Sequence, residues 1–252
     1  KGMVLPTKSE ITLEKIAALG LPVVVKPTDK DRGLGVTLGI SNQERLQQAV
    51  DYAAQHGNKI LVEEQVPGTC HRILVVDDKV LFVIKRNPRS ITGDGQQTIE
   101  ALIKQLNASL MLKIPQKRLP GLALDALALE CLAAAALKPN SIPAVGVKVM
   151  LRPAQSSQWG GDPEVVTESL HPDNAEIARR AARLFGLRCA GVDFISTDIR
   201  VPWYDNGAVI NEVNYAPVIG RTHEYQRQAG KAYLNLLFQG QGKIPIHLFV
   251  GE

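Results

Sequence analysis

Three oxygen-bearing side chains stand at strand spacing in the C-terminal part of the chain. Asp193 lies in the apolar run Ala190-Gly191-Val192-Asp193-Phe194-Ile195, and Glu212 and Asn214 lie in Val209-Ile210-Asn211-Glu212-Val213-Asn214. A period of two puts Glu212 and Asn214 on one face of a strand, and hairpin pairing of the two runs would bring Asp193 beside them. Two carboxylates and an amide gathered there are hard oxygen donors of the kind Mg²⁺ takes together with waters and phosphate oxygens. The competing account is an exposed polar hairpin face, which explains any two of these residues more easily than all three among apolar neighbours.

Cationic and backbone groups that suit an anionic ligand lie upstream. Lys26 ends the apolar run Leu21 to Lys26, and Asp31-Arg32-Gly33-Leu34-Gly35-Val36 follows. Gly33 and Gly35 would let backbone N–H groups approach phosphate oxygens, with Lys26 adding a fixed charge. The loop lacks the order of a Walker motif, and a Gly-x-Gly turn on its own is more often only a turn. Glu63, Glu64 and Val66 mark the exit of a strand, where an acidic side chain and exposed backbone can meet an adenine edge; the plain alternative is a solvated strand end. Arginines and histidines at His71-Arg72, Lys85-Arg86, Arg152, Arg221 and His223 gain meaning only from their positions relative to these motifs.

The elements that must hold these groups follow from periodicity. Ser9 to Leu19 is expected to be a short helix with Ile11, Ile16 and Leu19 on one side, ended by Gly20. Ser41 with Glu44 reads as a capping box opening a helix that stops at His56-Gly57. Strands are expected at Lys59 to Glu64, Arg72 to Val76 and Val80 to Arg86, the last two joined as a hairpin across Asp77-Asp78-Lys79. A helix should follow Thr98, and another should run from Asp173 to Phe185. Val145 to Leu151, Cys189 to Ser196 and Gly207 to Val213 read as further strands. The region from Asn107 to Pro143 is least legible; residues 107–145 are expected to be an insertion or small subdomain. The whole is an α+β pattern with a mixed, largely antiparallel sheet.

Composition excludes several classes. The 252 residues are 45% hydrophobic and 21% charged, which suits one large domain or two smaller ones rather than a disordered or fibrous chain. Lys plus Arg exceed Asp plus Glu by 29 − 25 = 4 without clustering, so no nucleic-acid partner is expected. Cys70, Cys131 and Cys189 have neither CxxC spacing nor a histidine cluster, which argues against zinc and a disulfide framework and for a reducing compartment. The Ala/Leu-rich stretch from Leu122 to Leu137 is interrupted by Asp125 and Glu130, so no membrane span is expected. A cytoplasmic location follows as the expectation.

Taken in order, these motifs resemble the ATP-grasp superfamily, and within it cyanophycin synthetases. The resemblance rests on Leu21 to Pro27, Arg32 to Val36, Val62-Glu63, His71 to Val76, Thr92 to Gly95 with Thr98-Ile99, His171-Pro172, Ala190 to Asp193, and Asn211 to Pro217. It runs from about Gly2 to the C-terminus and is weakest between Asn107 and Val145. It implies two α+β subdomains with largely antiparallel sheets gripping ATP, the N-terminal subdomain being absent. The expected division is a nucleotide-binding subdomain over 1–86, a C-terminal subdomain over 87–240, and a linker over 241–252 leading toward a Mur-ligase-like domain of a longer chain.

The implied activity is ATP-dependent ligation of a carboxylate to an amine through an acyl phosphate, with amino acids or a peptide as substrate, aspartate and arginine among them. Similarity assigns Lys26, Gly33 and Gly35 to the ATP phosphates, Glu63, Glu64 and Val66 to adenine, and Asp193, Glu212 and Asn214 to Mg²⁺. It assigns Arg152 to the transferred phosphate, and makes Arg72, Arg86, Arg221, Ser157 and His223 candidates for phosphate or substrate contacts. The chain departs from the family pattern at Cys70, where an acidic residue for the ribose is usual, at Val218 after Ala216-Pro217, and in the loop Gln155 to Gly161. Two other readings stay open: a nucleotide-binding module without turnover, and a kinase using the same site. A homo-oligomer is also left open.

Overall fold

The structure, a computed structural model, describes residues 1–7, 11–30, 33–111, 121–153, 160–217 and 224–238. It contains strands β1 (Gly2–Pro6), β2 (Val23–Pro27), β3 (Thr37–Ile40), β4 (Lys59–Glu64), β5 (Thr69–Val76), β6 (Lys79–Asn87), β7 (Ser90–Thr92), β8 (Lys148–Met150), β9 (Asp162–Val165), β10 (Cys189–Ser196) and β11 (Val209–Asn214). The helices are α1 (Gln43–Ala54), α2 (Ile99–Met111), α3 (Ala126–Ala134), α4 (Pro172–Leu184), α5 (Trp203–Asn206) and α6 (Glu224–Phe238). Among the described residues, no helix is long and apolar enough to cross a membrane.

Two compact units emerge, each made of two stretches of chain: Lys1–Pro67 with Arg86–Pro163, and Gly68–Lys85 with Glu164–Glu252. This differs from a division after residue 86. The reason is pairing: β5 is registered with β10 along its whole length, from Thr69 opposite Ser196 to Val76 opposite Cys189, so Gly68–Lys85 joins the second unit.

In the first unit, a four-stranded sheet has the order β1-β4-β2-β3, with antiparallel pairs throughout. Alternation along β2 and β4 buries Val23, Val25, Ile60 and Val62 on one face, where they meet Leu46, Ala49, Val50 and Ala53 at helical spacing on α1. The helix opens one residue later than the Ser41 box would place it. Asn42 is the N-cap, its Oδ1 accepting the Arg45 N–H at 2.9 Å. The expected helix over Ser9 to Leu19 is instead a run of turns ending in a 3-10 turn at Ala17–Leu19, with residues 8–10 outside the described set. Gln43 supplies the reason. Its Oε1 accepts the Leu13 N–H at 2.9 Å and its Nε2 donates to the Ile11 carbonyl at 3.1 Å, so these backbone groups pair without an α-helical ladder. Ile11, Ile16 and Leu19 are buried all the same.

The rest of this unit packs α2 and α3 against the antiparallel pair β7–β8, through Ile99, Leu102, Ile103, Ala128, Leu132, Val149 and Leu151. Part of the region expected to be an insertion thus packs into this shared core through Leu122, Ala128 and Leu132.

The second unit is organised by the sheet β11-β10-β5-β6-β9. The registered pairs β5–β6, β5–β10 and β10–β11 are antiparallel. Ile73, Val75, Ala190, Val192 and Phe194 bury one face against Ala178 and Ala182 of α4. On the opposite face, Leu74, Val76, Phe82 and Ile84 pack with Ala229 of α6, a helix outside the sequence expectation. The β5–β6 hairpin turns through Asp77 and Asp78, both at positive φ, as two-residue hairpins require. Arg188 and Arg183 pair with these two carboxylates, each at 2.6 Å.

His71 is almost wholly buried in this unit. Burial lowers its pKa, with backbone contacts at Phe194 and Thr69 pulling the other way and the Lys85 charge lowering it further. Its stabilising effect is therefore fully present above the unfolded value of 6.5 and is lost as pH falls through the lowered folded value. Urea midpoints should drop more steeply between about pH 7.5 and about pH 5.5 in the wild type than in His71→Gln. Parallel profiles for the two proteins would remove His71 as the cause.

Candidate active site

The second unit brings Arg72, Asp193 and Glu212 into one row across three strands. Asp193 on β10 lies directly opposite Arg72 on β5 and directly opposite Glu212 on β11. Asn214, two residues beyond Glu212, faces Gly191 and donates from Nδ2 to its carbonyl at 3.2 Å. A bulge next to this row separates polar from apolar groups. While β10 advances one residue from Asp193 to Phe194, β11 advances two from Glu212 to Ile210. That extra residue, Asn211, lets Ile210 pack with the core on the Phe194 face while Glu212 stays beside Asp193.

The row is graded from buried to exposed. Asp193 keeps 4% of its side-chain surface and Arg72 18%, whereas Glu212 is exposed. Arg72 grips Asp193 through both ends of its fork: Nε donates to Oδ1, and Nη2 donates to Oδ2 at 2.9 Å. Burial alone would lower the Arg72 pKa. The hydrogen bonds and charge of Asp193, helped by Cys70 and Glu212, outweigh burial and raise it above its ordinary value. Gly191 gives this guanidinium its room: a Cβ there would lie 3.0 Å from Arg72 Cδ, 3.1 Å from Nη1 and 2.9 Å from Pro217 Cβ. Among the described residues, no three His, Cys, Asp or Glu side chains form a metal cluster. The set at this end is two carboxylates plus the Asn214 amide, whose oxygens fit Mg²⁺ by donor type.

The first unit holds a second group. Lys26 and Glu63 share the sheet face opposite α1 and form an ion pair at 2.6 Å, each about one-quarter exposed. Glu63 therefore fixes Lys26. Glu64 is exposed and Val66 half-buried just beyond β4. Gly33 and Gly35 both have positive φ. Gly35 also sits against the end of β2, where a Cβ would lie 2.7 Å from Pro27 Cγ, so the turn is folded down onto the strand that carries Lys26. Cys70 is half-buried on β5, and Arg86 is half-buried near the end of β6.

Arg152, just after β8, is the most enclosed of the expected arginines among the described residues, at 5% exposure. Nη1 donates to the Leu151 carbonyl at 2.6 Å and Nη2 to Asp125 Oδ2 at 2.8 Å. Sequence reasoning missed Asp125, although an Asp before an Ala/Leu helix is a recognisable N-cap. It also missed Gly191 as the space for Arg72. Ser157, Arg221 and His223 lie outside the described residues.

A family model for the D-ala D-ala ligase C-terminus matches residues 3–105. The cyanophycin synthetase of Trichormus variabilis is 34% identical over 239 residues, which cover 90% of this chain and 26% of that protein. A glutathione biosynthesis bifunctional protein of Clostridium perfringens is 30% identical over 224 residues, covering 86% of this chain and 29% of the relative. The chain thus spans about a quarter of the length of these curated relatives. Among solved structures, a bifunctional glutathione synthetase from Pasteurella multocida superposes with a TM-score of 0.59 at 26% identity, over 95% of this chain and 34% of that one. A D-alanine–D-alanine ligase from Bacillus anthracis matches with a TM-score of 0.52 at 13% identity, over 94% of this chain and 58% of that one, a likeness of fold.

Proposed function

Because the chain belongs to the ATP-grasp superfamily, we propose that it forms the ATP-binding part of a carboxylate–amine ligase of the cyanophycin-synthetase type. The observation that carries the reading is the row of Arg72, Asp193 and Glu212 with Asn214 beside it, a partly enclosed strip on one sheet face in which the carboxylates outnumber the cation and leave charge for a metal ion to balance. Such a strip suits phosphoryl transfer, which is catalysed by positioning and charge neutralisation and needs no nucleophilic side chain.

In this reading, a substrate carboxylate oxygen attacks the γ-phosphorus of ATP and ADP leaves. An amine then attacks the acyl carbon, the tetrahedral intermediate loses inorganic phosphate, and an amide remains. Lys26, oriented by Glu63, and the backbone around Gly33 and Gly35 bind the phosphates. Glu63, Glu64 and Val66 meet adenine, and Cys70 stands near the ribose. Asp193, Glu212 and Asn214 would hold Mg²⁺, which when bound neutralises phosphate charge. Arg152 meets the transferred phosphate, and Arg72 and Arg86 serve phosphate or substrate carboxylate. The substrates are amino acids or a peptide, with aspartate and arginine first among them, and the reaction takes place in the cytoplasm. Within a longer chain, this part would work beside a Mur-ligase-like domain; assembly into a homo-oligomer is compatible with the same reading.

Hydroxylamine trapping tests the reaction class. With ATP, Mg²⁺ and aspartate, an acyl phosphate is expected to yield aspartyl hydroxamate in proportion to ADP formed. ADP formation without hydroxamate, with aspartate or with a β-aspartyl peptide, would contradict the ligase and favour phosphorylation of a hydroxyl. Cys70, in place of an acidic residue for the ribose, favours a second reading, a nucleotide-binding module without turnover. Tight nucleotide binding with no ADP formed would select it.

A further inference from the structure

We infer that Asp125 is a positioning residue for Arg152, so that the start of α3 forms part of the active-site support. The inference rests on the proposed role of Arg152 at the transferred phosphate. Asp125 divides its carboxylate between two tasks. Oδ1 accepts the Ala128 N–H at 3.0 Å as the N-cap of α3, and Oδ2 accepts Arg152 Nη2 at 2.8 Å. The helix is anchored by Ala128 and Leu132, which share a core with Val149 and Leu151 on either side of Met150. Helix and arginine are therefore fixed to the same short strand, and the cap residue bridges them.

Burial makes this bridge consequential. A guanidinium that is 5% exposed needs a counter-charge, because a buried cation left unpaired loses its hydration without compensation. Asp125 supplies that charge from a side chain that is 46% exposed. With Nη1 on Leu151 O and Nη2 on Asp125, the fork is held from two directions. Nε is buried and has no hydrogen-bond partner among the described residues. These two bonds use two of the five guanidinium N–H groups, so Nε–H is one of three left for ligand oxygens, and the Asp125 contact determines the plane in which they point.

The test separates capping from orientation. Asn caps helices as well as Asp, so Asp125→Asn keeps the bond to Ala128 N–H but sets an amide NH₂ against the Arg152 donors. The probes are the non-hydrolysable imido analogue of ATP and ADP, each titrated calorimetrically with Mg²⁺ into the intact protein. Wild type should prefer the triphosphate analogue. Asp125→Asn should lose about ten-fold of that preference, read at a temperature where both proteins are fully folded, because the uncompensated Arg152 charge also lowers the melting temperature of the variant by several degrees. Combining it with Arg152→Lys should add little further loss, since both changes act on one contact. An unchanged preference in Asp125→Asn, with the preference lost in Arg152→Lys, overturns the positioning role and leaves the proposed function standing. Full preference in Arg152→Lys and Arg152→Ala overturns the Arg152 assignment and this inference with it. Absence of nucleotide binding by wild type overturns the proposed function itself.

Discussion

Replacing Arg72 with alanine is expected to destabilise the protein by about 3 kcal/mol, because it strips a buried carboxylate of its bidentate cationic partner. Asp193 keeps only 4% of its side-chain surface, so water replaces little of what is lost. The effect should be asymmetric. Removing one partner leaves a charge enclosed, whereas Arg72→Leu with Asp193→Leu removes both and should recover a large part of the loss. Urea unfolding of the single and double variants measures this directly. A change under about 1 kcal/mol in Arg72→Ala would show that the pair contributes no more than a surface ion pair does.

Glu212→Gln is expected to produce the opposite combination, a large functional loss at nearly constant stability. The side chain is exposed at the outer end of the row, so its change to an isosteric amide should alter stability by no more than about 0.5 kcal/mol. If Glu212 supplies a charged oxygen to Mg²⁺, turnover at saturating ATP should fall by about 100-fold or more, and a higher Mg²⁺ concentration should recover part of it. Turnover titrated against Mg²⁺ separates this from a substrate contact. An unchanged Mg²⁺ dependence with a raised substrate KM would move Glu212 out of the metal set.

The contrast between these variants reflects what a linear sequence encodes. Asp193, Glu212 and Asn214 were legible as a group because two apolar strands with period two suffice to gather them. The Arg72 contact was not, since it joins residues 121 positions apart through the β5–β10 register, which no local pattern specifies. The Asn211 bulge beside Glu212 was hidden for the same reason. Local signals also misled where tertiary hydrogen bonds took over, as in the turns of residues 11–19, whose backbone is paired by Gln43. The cap of α1 moved by one residue because Asn42 competes with Ser41 for the same task. Asp125 lay in the least legible region, where an Ala/Leu-rich helix shows packing without direction. Its partner Arg152 is 27 residues away, a separation that no local pattern bridges. Strand β9 is four residues long and contains Pro163, which leaves it little periodic signal, and α6 places Ala229 and Tyr233 one turn apart against the sheet face it covers.

Calorimetric titration of ATP with and without Mg²⁺ puts the proposed nucleotide site, with its Mg²⁺ held by Asp193, Glu212 and Asn214, to the test. Saturable binding that tightens when Mg²⁺ is present is expected, with loss of that Mg²⁺ enhancement in Glu212→Gln. No heat of binding at millimolar ATP, or an affinity indifferent to Mg²⁺, would contradict the proposed site.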